Sequence, residues 1–255
     1  MIDVVIPAYG NLDITSRAFH AVLFNGLRKQ RITVVDNGSH DGALAPLKPI
    51  VESFGHRFIR LDKNVGPYGA VNAGLALADA DIWAVVCNDV APLPFSMQYL
   101  VDGLDQAHFV GAVEVQDEMF NTTDALEMAE SGPEGCKFEP GVFFSCFVGK
   151  AEDFIKVGPF DERYRITYGD TDWEQRVSDL GMKYVRALHA PVFHGASVTR
   201  KRRGLEQDLT DDQMDHAAFL EKWKDRPDVV VRHPMEDTAF KRAWTAREWS
   251  IRGHH

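Results

Sequence analysis

Short apolar runs that stop abruptly at polar, proline-marked turns constrain this chain more than any other feature. The clearest lies within Asp81 to Pro94, where Ile82, Trp83, Ala84, Val85 and Val86 follow one another without a polar break. Such a run suits a strand covered on both faces in a parallel sheet, whereas a strand with one wet face would alternate. It ends in Cys87-Asn88-Asp89, and Pro92 and Pro94 then forbid further regular structure. A carboxylate at the mouth of a buried strand is costly to desolvate unless a cation or hydrogen bonds compensate. Ligands of open α/β sheets gather at the carboxyl ends of the strands. Asp89 is therefore a candidate metal or ligand contact, set against the plainer reading of a turn-forming Asn-Asp pair.

The same signature recurs upstream. Ile2 to Ile6 reads as a buried strand closed by Pro7, and Ala8-Tyr9-Gly10-Asn11 as the loop after it. Asn11 or Asp13 can cap a helix to Phe24, with Ile14, Ala18, Phe19, Val22 and Leu23 at helical spacing. Ile32 to Val35 is the next strand, running into Asp36-Asn37-Gly38-Ser39-His40-Asp41-Gly42. Leu44, Leu47, Ile50, Val51 and Phe54 mark a helix distorted by Pro46 and Pro49, and Phe58 to Leu61 a third strand. Repeated strand–helix units predict right-handed βαβ crossovers and a mostly parallel sheet.

Asn64 to Gly74 follows, with Pro67 suited to a first helical turn. Gly66, Gly69 and Gly74 inside a helix each cost about 1 kcal/mol relative to alanine, so the space they leave is needed. Either a ligand or a tightly packed sheet can claim it. No GxGxxG or GxxxxGK[ST] pattern occurs, which removes the two common phosphate-loop readings.

The balance of 28 basic and 38 acidic residues gives a net charge of −10, which argues against a general nucleic-acid or anionic-membrane binder. No apolar run approaches the ~20 residues of a membrane span, and the N-terminus lacks the charged and apolar regions of a signal peptide. Cys87, Cys136 and Cys146 show no CxxC spacing, so a disulfide framework and a cysteine zinc site are both disfavoured. These features predict a cytoplasmic protein, with peripheral membrane attachment as the alternative.

Taken in order, several segments carry a resemblance. They are Val4-Val5-Ile6-Pro7, Val34-Val35-Asp36-Asn37-Gly38-Ser39-x-Asp41-Gly42, Asn64-x-Gly66-xxx-Ala70-x-Asn72-x-Gly74 and Asn88-Asp89. Val157-Gly158-Pro159-Phe160-Asp161-Glu162 and Tyr168-Gly169-Asp170-Thr171-Asp172-Trp173-Glu174-Gln175-Arg176 follow. The set resembles the family-2 inverting glycosyltransferases of the GT-A fold, and their rhamnosyltransferase-like branch in particular. It covers roughly residues 2 to 197.

The resemblance implies a nucleotide-sugar donor held by Pro7, Ala8, Tyr9, Asp36, Asn37, Asn64, Gly66, Asn72, Asn88 and Asp89. It implies a divalent cation, Mn²⁺ or Mg²⁺, on Asp89, because the segment after the fourth strand corresponds to the family's DxD motif. Here that motif reads Cys87-Asn88-Asp89, and cysteine is a poor partner for a hard cation. Asp170 matches the second acid of the family's catalytic pair, which acts as general base. Gly169 stands where the pair has its first acid. Asp172 is the runner-up base, and Arg176 supports the helix rather than touching substrate. Asp170, Trp173 and Glu174 share a helical face, although acids opening a helix are also what its dipole favours.

After a strand from Tyr184 to Leu188, His194 matches a family position that completes the cation's coordination. Arg200-Lys201-Arg202-Arg203 comes next, either a solvated loop or a clamp on the diphosphate led by Arg200. Gln116 to Gly135 is acid-rich and reads as an acceptor-side loop with a short helix. Beyond residue 204 the resemblance fades. Met214, Ala218, Phe219 and Trp223 suggest one helix, and Phe240, Trp244 and Ile251 another. These helices pack on the catalytic domain or pair two subunits as a homodimer; a basic face (Lys241, Arg242, Arg247, Arg252) docking on a membrane is the minority reading.

The expected organisation is thus an α/β GT-A domain over residues 1–204 with a helical extension over 205–255. Within the domain, residues 1–115 form the nucleotide-sugar half and 116–204 the acceptor and catalytic half. The expected reaction is inverting, metal-assisted hexosyl or deoxyhexosyl transfer to a glycan, lipid-linked, small-molecule or protein acceptor. A catalytically inactive sugar-nucleotide or glycan-binding module is the alternative, motivated by Cys87 and Gly169. A sugar-phosphate nucleotidyltransferase is disfavoured, because the loop from Pro7 to Asn11 has no basic residue.

Overall fold

The computed structural model describes residues 1–115, 138–140, 144–195 and 205–229. The N-terminal part alternates strands and helices: β1 (Ile2–Ala8), α1 (Leu12–Leu23), β2 (Gln30–Asp36), α2 (Leu47–Ser53), β3 (Arg57–Arg60), α3 (Gly66–Leu75) and β4 (Ile82–Val86). β1 lies between β2 and β4, β3 flanks β2, and all these pairings are parallel. Both faces of the sheet are covered, which is why its strands read as continuous apolar runs. On one face Val4, Ile6, Ile32, Val34 and Val86 pack with Phe19 and Val22 of α1. On the other, Val5 and Val35 meet Ala70 of α3. Gly74 explains how closely α3 approaches, since a Cβ there would lie 2.3 Å from Val5 Cγ1. The sheet claims that glycine's space. Pro46 and Pro49 do not distort a helix begun at Leu44. They sit at the cap and in the first turn of α2, where no amide donor is needed.

The remaining elements are β5 (Val90–Pro92), α4 (Ser96–Asp102), β6 (Phe109–Val115), β7 (Phe138–Pro140), β8 (Cys146–Lys150), α5 (Ala151–Val157), α6 (Gly169–Asp179), β9 (Tyr184–His194) and α7 (Leu205–Trp223). The sheet order is β3-β2-β1-β4-β8-β6-β9-β5, with β7 also on β9. β8 runs antiparallel to β4 and β6, and β5 and β7 run antiparallel to β9. The sheet is therefore mixed beyond β4, a correction to the mostly parallel expectation. The repeated strand–helix rhythm that carried that expectation covers only the first four strands.

A second correction concerns Pro92, which belongs to a strand. β5 ends the sheet order, and an edge strand tolerates a residue without an amide donor. β9 also outruns its expected end at Leu188. The β6–β9 register jumps from Ala187 to Pro191 between Ala112 and Val113, and this bulge lets the strand continue to His194.

The chain divides into two compact units, Met1–His216 and Ala217–His255, with the division inside α7. Of the second unit, the end of α7 and the turn to Val229 are described, with the Phe219 and Trp223 rings 6.3 Å apart. No helix among the described residues is long and apolar enough to cross a membrane. The expected loop from Gln116 to Gly135, the run from Arg200 to Arg203 and the helix around Trp244 lie outside the described residues.

Candidate functional site

The carboxyl ends of β1 and β4 open onto a cleft of about 810 Å³, within the usual range for small-molecule sites. Pro7, Ala8 and Tyr9 line it from β1, Cys87, Asn88 and Asp89 from the end of β4, and Asn37 from the end of β2. The segment from Lys63 to Pro67, then Glu162, Arg163, Arg165, Ile166 and His194 complete the wall.

Asp89 and His194 meet there because β5 and β9 pair antiparallel, with Val90 opposite His194 and the Gly195 amide donating to the Asp89 carbonyl at 2.8 Å. His194 Nε2 lies 3.6 Å from Asp89 Oδ1, while Nδ1 lies 2.8 Å from Glu114 Oε2. The Ser145 hydroxyl donates to the other oxygen of Glu114. Burial alone would lower His194, but Asp89 and Glu114 on its two nitrogens outweigh it and carry the imidazole up to about 10. Burial would likewise raise Glu114, and its bonds from His194 and Ser145 hold it below the usual carboxylate range.

One carboxylate oxygen of Asp89 and one imidazole nitrogen of His194 face each other, and this pair fits a divalent cation only in exchange for the imidazole proton that Asp89 and Glu114 hold in place. Cys87 does not join that set. Burial first, then the charge of Asp89, pushes its thiol well up, so it stays protonated at neutral pH. Among the described residues no group of three or more His, Cys, Asp or Glu is placed to hold an ion.

The predicted donor-site residues separate into wall and scaffold. Asp36 is fully buried and is not part of the wall. Its carboxylate accepts the Ser39 amide at 2.9 Å and the Arg60 guanidinium at 2.8 Å. Asn37 reaches the wall but its amide is spent on holding the loop opposite. It donates to Asn64 Oδ1 and the Gly66 carbonyl and accepts from the Val65 amide. Asn64 in turn accepts from the Gly66 amide. Asn72 pins the segment at Phe160, donating to its carbonyl and to Glu162 and accepting its amide, each at 2.9 Å. Asn88 donates to the Thr15 hydroxyl at 3.0 Å.

Asp170 is not among the residues that line this cleft. Tyr168 takes a left-handed turn (φ 62) with its ring stacked on His216, and α6 then begins with Gly169 and Asp170. The Asp170 amide donates to the Tyr68 hydroxyl at 3.3 Å. Burial raises the Asp170 carboxyl above the ordinary value, against hydrogen bonds from Thr171, its own amide and Tyr68. Glu174, one turn on, is pushed up to about 8 by burial and by the Asp170 charge. Asp172 is fully buried, 3.2 Å from Arg176, which also donates to the carbonyls of Val157 and Pro159. That pair braces α6 against the chain after α5.

Sequence reasoning missed three residues. Glu114 lies in an apolar strand, Tyr68 in a glycine-rich helix, and Asp215 in an acid-rich stretch of α7. No motif marks them. Asp215 accepts the backbone amides of Arg165, Ile166 and Thr167 at 2.7–2.9 Å and so fixes one side of the cleft.

Comparison with known proteins agrees with this architecture. The family model for glycosyl transferase family 2 matches residues 3–157. The glycosyltransferase AglE of Haloferax volcanii is 26% identical over 201 residues, covering 71% of this chain and 62% of its own. An uncharacterized glycosyltransferase of Nostoc sp. is 27% identical over 135 residues, covering 52% of this chain and 42% of its own. This chain thus spans less than two thirds of either curated relative. Among solved structures, S. aureus TarS superposes with a TM-score of 0.61 at 12% identity, covering 86% of this chain and 39% of its own. GalNAc-T7, solved with UDP, GalNAc and Mn²⁺, gives 0.63 at 14% identity, covering 76% of this chain and 43% of its own. Those likenesses establish the GT-A type of fold. With the family model covering more than half of its length, the chain belongs to glycosyl transferase family 2.

Proposed function

We propose that the cleft binds a nucleotide sugar and transfers its sugar, with inversion, to an acceptor hydroxyl. The observation that carries this reading is the meeting of Asp89 and His194 at the strand ends, 3.6 Å apart and backed by Glu114. Asp89 and His194 would hold a divalent cation, Mn²⁺ or Mg²⁺. When bound, that cation neutralises charge on the donor diphosphate and so eases departure of the nucleotide. Pro7, Ala8, Tyr9 and the Asn64–Gly66 loop give the nucleoside a wall held by Asn37. Asp36 stiffens this wall from behind through Arg60, and Asn72 and Asn88 act as staples at its edges.

Asp170 serves as the general base. It takes the acceptor hydroxyl's proton while the acceptor oxygen bonds to the anomeric carbon. The bond from that carbon to the donor phosphate oxygen breaks, and the nucleoside diphosphate leaves with the electron pair. A single displacement inverts the anomeric centre. A carboxyl raised toward neutrality is a better base than one held at the ordinary value, which is the direction Asp170 shows. Asp172 and Arg176 support α6. Arg200 pairs with the diphosphate in this reading, and residues 1–204 form the catalytic domain.

The test is a thermal-shift screen of UDP-, GDP- and dTDP-sugars with and without Mn²⁺. A donor at one hundred times Kd stabilises by about 2.7 kcal/mol. The parent should show Mn²⁺-dependent stabilisation that Asp89→Ala abolishes. Stabilisation that is independent of Mn²⁺, or unchanged in Asp89→Ala, contradicts the assignment.

A further inference from the structure

We propose that Tyr68 is a positioning residue for Asp170, its ring filling the space above Gly169 and its hydroxyl donating to the Asp170 carboxylate. The inference rests on the reading of Asp170 as base. A Cβ at Gly169 would lie 2.4 Å from both Cε2 and Cζ of the Tyr68 ring, so only glycine lets the phenol reach the start of α6. The ring is not a loose end that can step aside. It is 3% exposed and wedged against Phe144 and Phe160, with centroids 5.3 and 6.1 Å away. Filling that space needs only a ring, and phenylalanine would do. The hydroxyl is what calls for a reason.

Its oxygen accepts the Asp170 amide at 3.3 Å, leaving one proton to place. The Ile166 carbonyl accepts it only at 3.5 Å, the edge of hydrogen-bond range, and the carboxylate of Asp170, the residue whose amide this same hydroxyl accepts, is the stronger, charged acceptor beside it. Burial and the Asp170 charge push the phenol well above its ordinary value, so it stays a donor at any working pH.

The groups facing this pair come from four elements. Glu174 and Thr171 lie on α6, Cys87 at the end of β4 and Asp215 on α7, with Tyr68 on α3. Glu174, Cys87 and Asp215 are acids whose charged forms repel a carboxylate or phenolate here. Tyr68 and Thr171 supply the side-chain hydrogen bonds that oppose burial of the Asp170 charge.

The test is Tyr68→Phe, which keeps the ring and removes the donor. In protein labelled with ¹³C at aspartate carboxyls, with the Asp170 signal assigned by Asp170→Asn, the Asp170 midpoint should rise by about one pH unit. The acidic limb of nucleoside diphosphate release from the sugar donor found by the screen should move up by the same amount. Mn²⁺-dependent donor affinity should stay within twofold. An unmoved midpoint overturns the Tyr68 contact. A moved midpoint with an unmoved acidic limb overturns its positioning role, and near-parental turnover by Asp170→Asn then shows that the base assignment is what failed.

Discussion

Replacing Asp215 by alanine should loosen the cleft wall from the far side. Asp215 is 1% exposed and accepts amides from Arg165 at 2.8 Å, Ile166 at 2.7 Å and Thr167 at 2.9 Å. Hydrogen bonds to a charged acceptor contribute about 1.5–3 kcal/mol each, so the gross loss is roughly 5–9 kcal/mol. Two effects oppose it. Removing a buried carboxylate recovers several kcal/mol of desolvation. Arg165 is also exposed and its two neighbours half-buried, so the freed amides can reach water. A net destabilisation of about 2–4 kcal/mol remains. At about 2–4 °C per kcal/mol for a chain of this size, the melting temperature should fall by roughly 9 °C. Thermal and urea unfolding measure it, and amide exchange should speed up at residues 165–167. A melting temperature within about 2 °C of the parent would refute the reasoning, because the loop would then not depend on those bonds.

Three further outcomes follow from buried groups elsewhere. Glu174, carried up to about 8 from 4.5, binds its proton more tightly in the folded state, so its favourable contribution is present at low pH and is lost as pH rises through 8. Glu174→Gln should therefore melt like the parent near pH 5 and above it at pH 8.5; equal melting at both refutes this. Gly74→Ala gains about 1 kcal/mol of helix propensity but overpacks Val5 and Val35 by about 1–3 kcal/mol, so urea unfolding should show net destabilisation that Val5→Ala partly relieves. Asp3, 2% exposed, accepts from Arg31 at 2.6 and 2.7 Å and from the amides of Asp79 and Ala80 at 2.8 Å. Burial pushes its carboxyl up, but these bonds outweigh it and hold it below the usual range. Asp3→Ala should cost about 3 kcal/mol at neutral pH. The parent's advantage should shrink as acid protonates Asp3, whereas a constant gap down to pH 2 contradicts the assignment.

The buried strands were legible because burial on both faces leaves an unbroken apolar run, as in Val4 to Ile6 and Ala84 to Val86. β5, β7 and β8 were not, since a strand of 3–5 residues has no period to announce its direction or its edge position. At the site, Asp89 and His194 stood out as polar groups after apolar runs, and the β5–β9 pairing brings them together. Asn37, Asn64 and Asn72 were just as visible in sequence, but a carboxamide gives no sign of whether its partners are ligand or backbone. Here the partners are backbone, one another and the Glu162 carboxylate. Glu114, Tyr68 and Asp215 act across 80, 102 and 50 residues of sequence, and long-range partnership of that kind leaves no local trace.

The most direct test of the account compares the parent with Asp170→Asn in nucleoside diphosphate release, with donor affinity measured by calorimetry on the same samples. Asparagine keeps the size and hydrogen bonding of the side chain but takes no proton at neutral pH. Loss of a general base typically costs 10²–10⁴-fold in rate while leaving binding in place. The dissociation constant should stay within twofold of the parent's, and turnover should fall by about 10²–10⁴-fold. Near-parental turnover by Asp170→Asn would contradict the account.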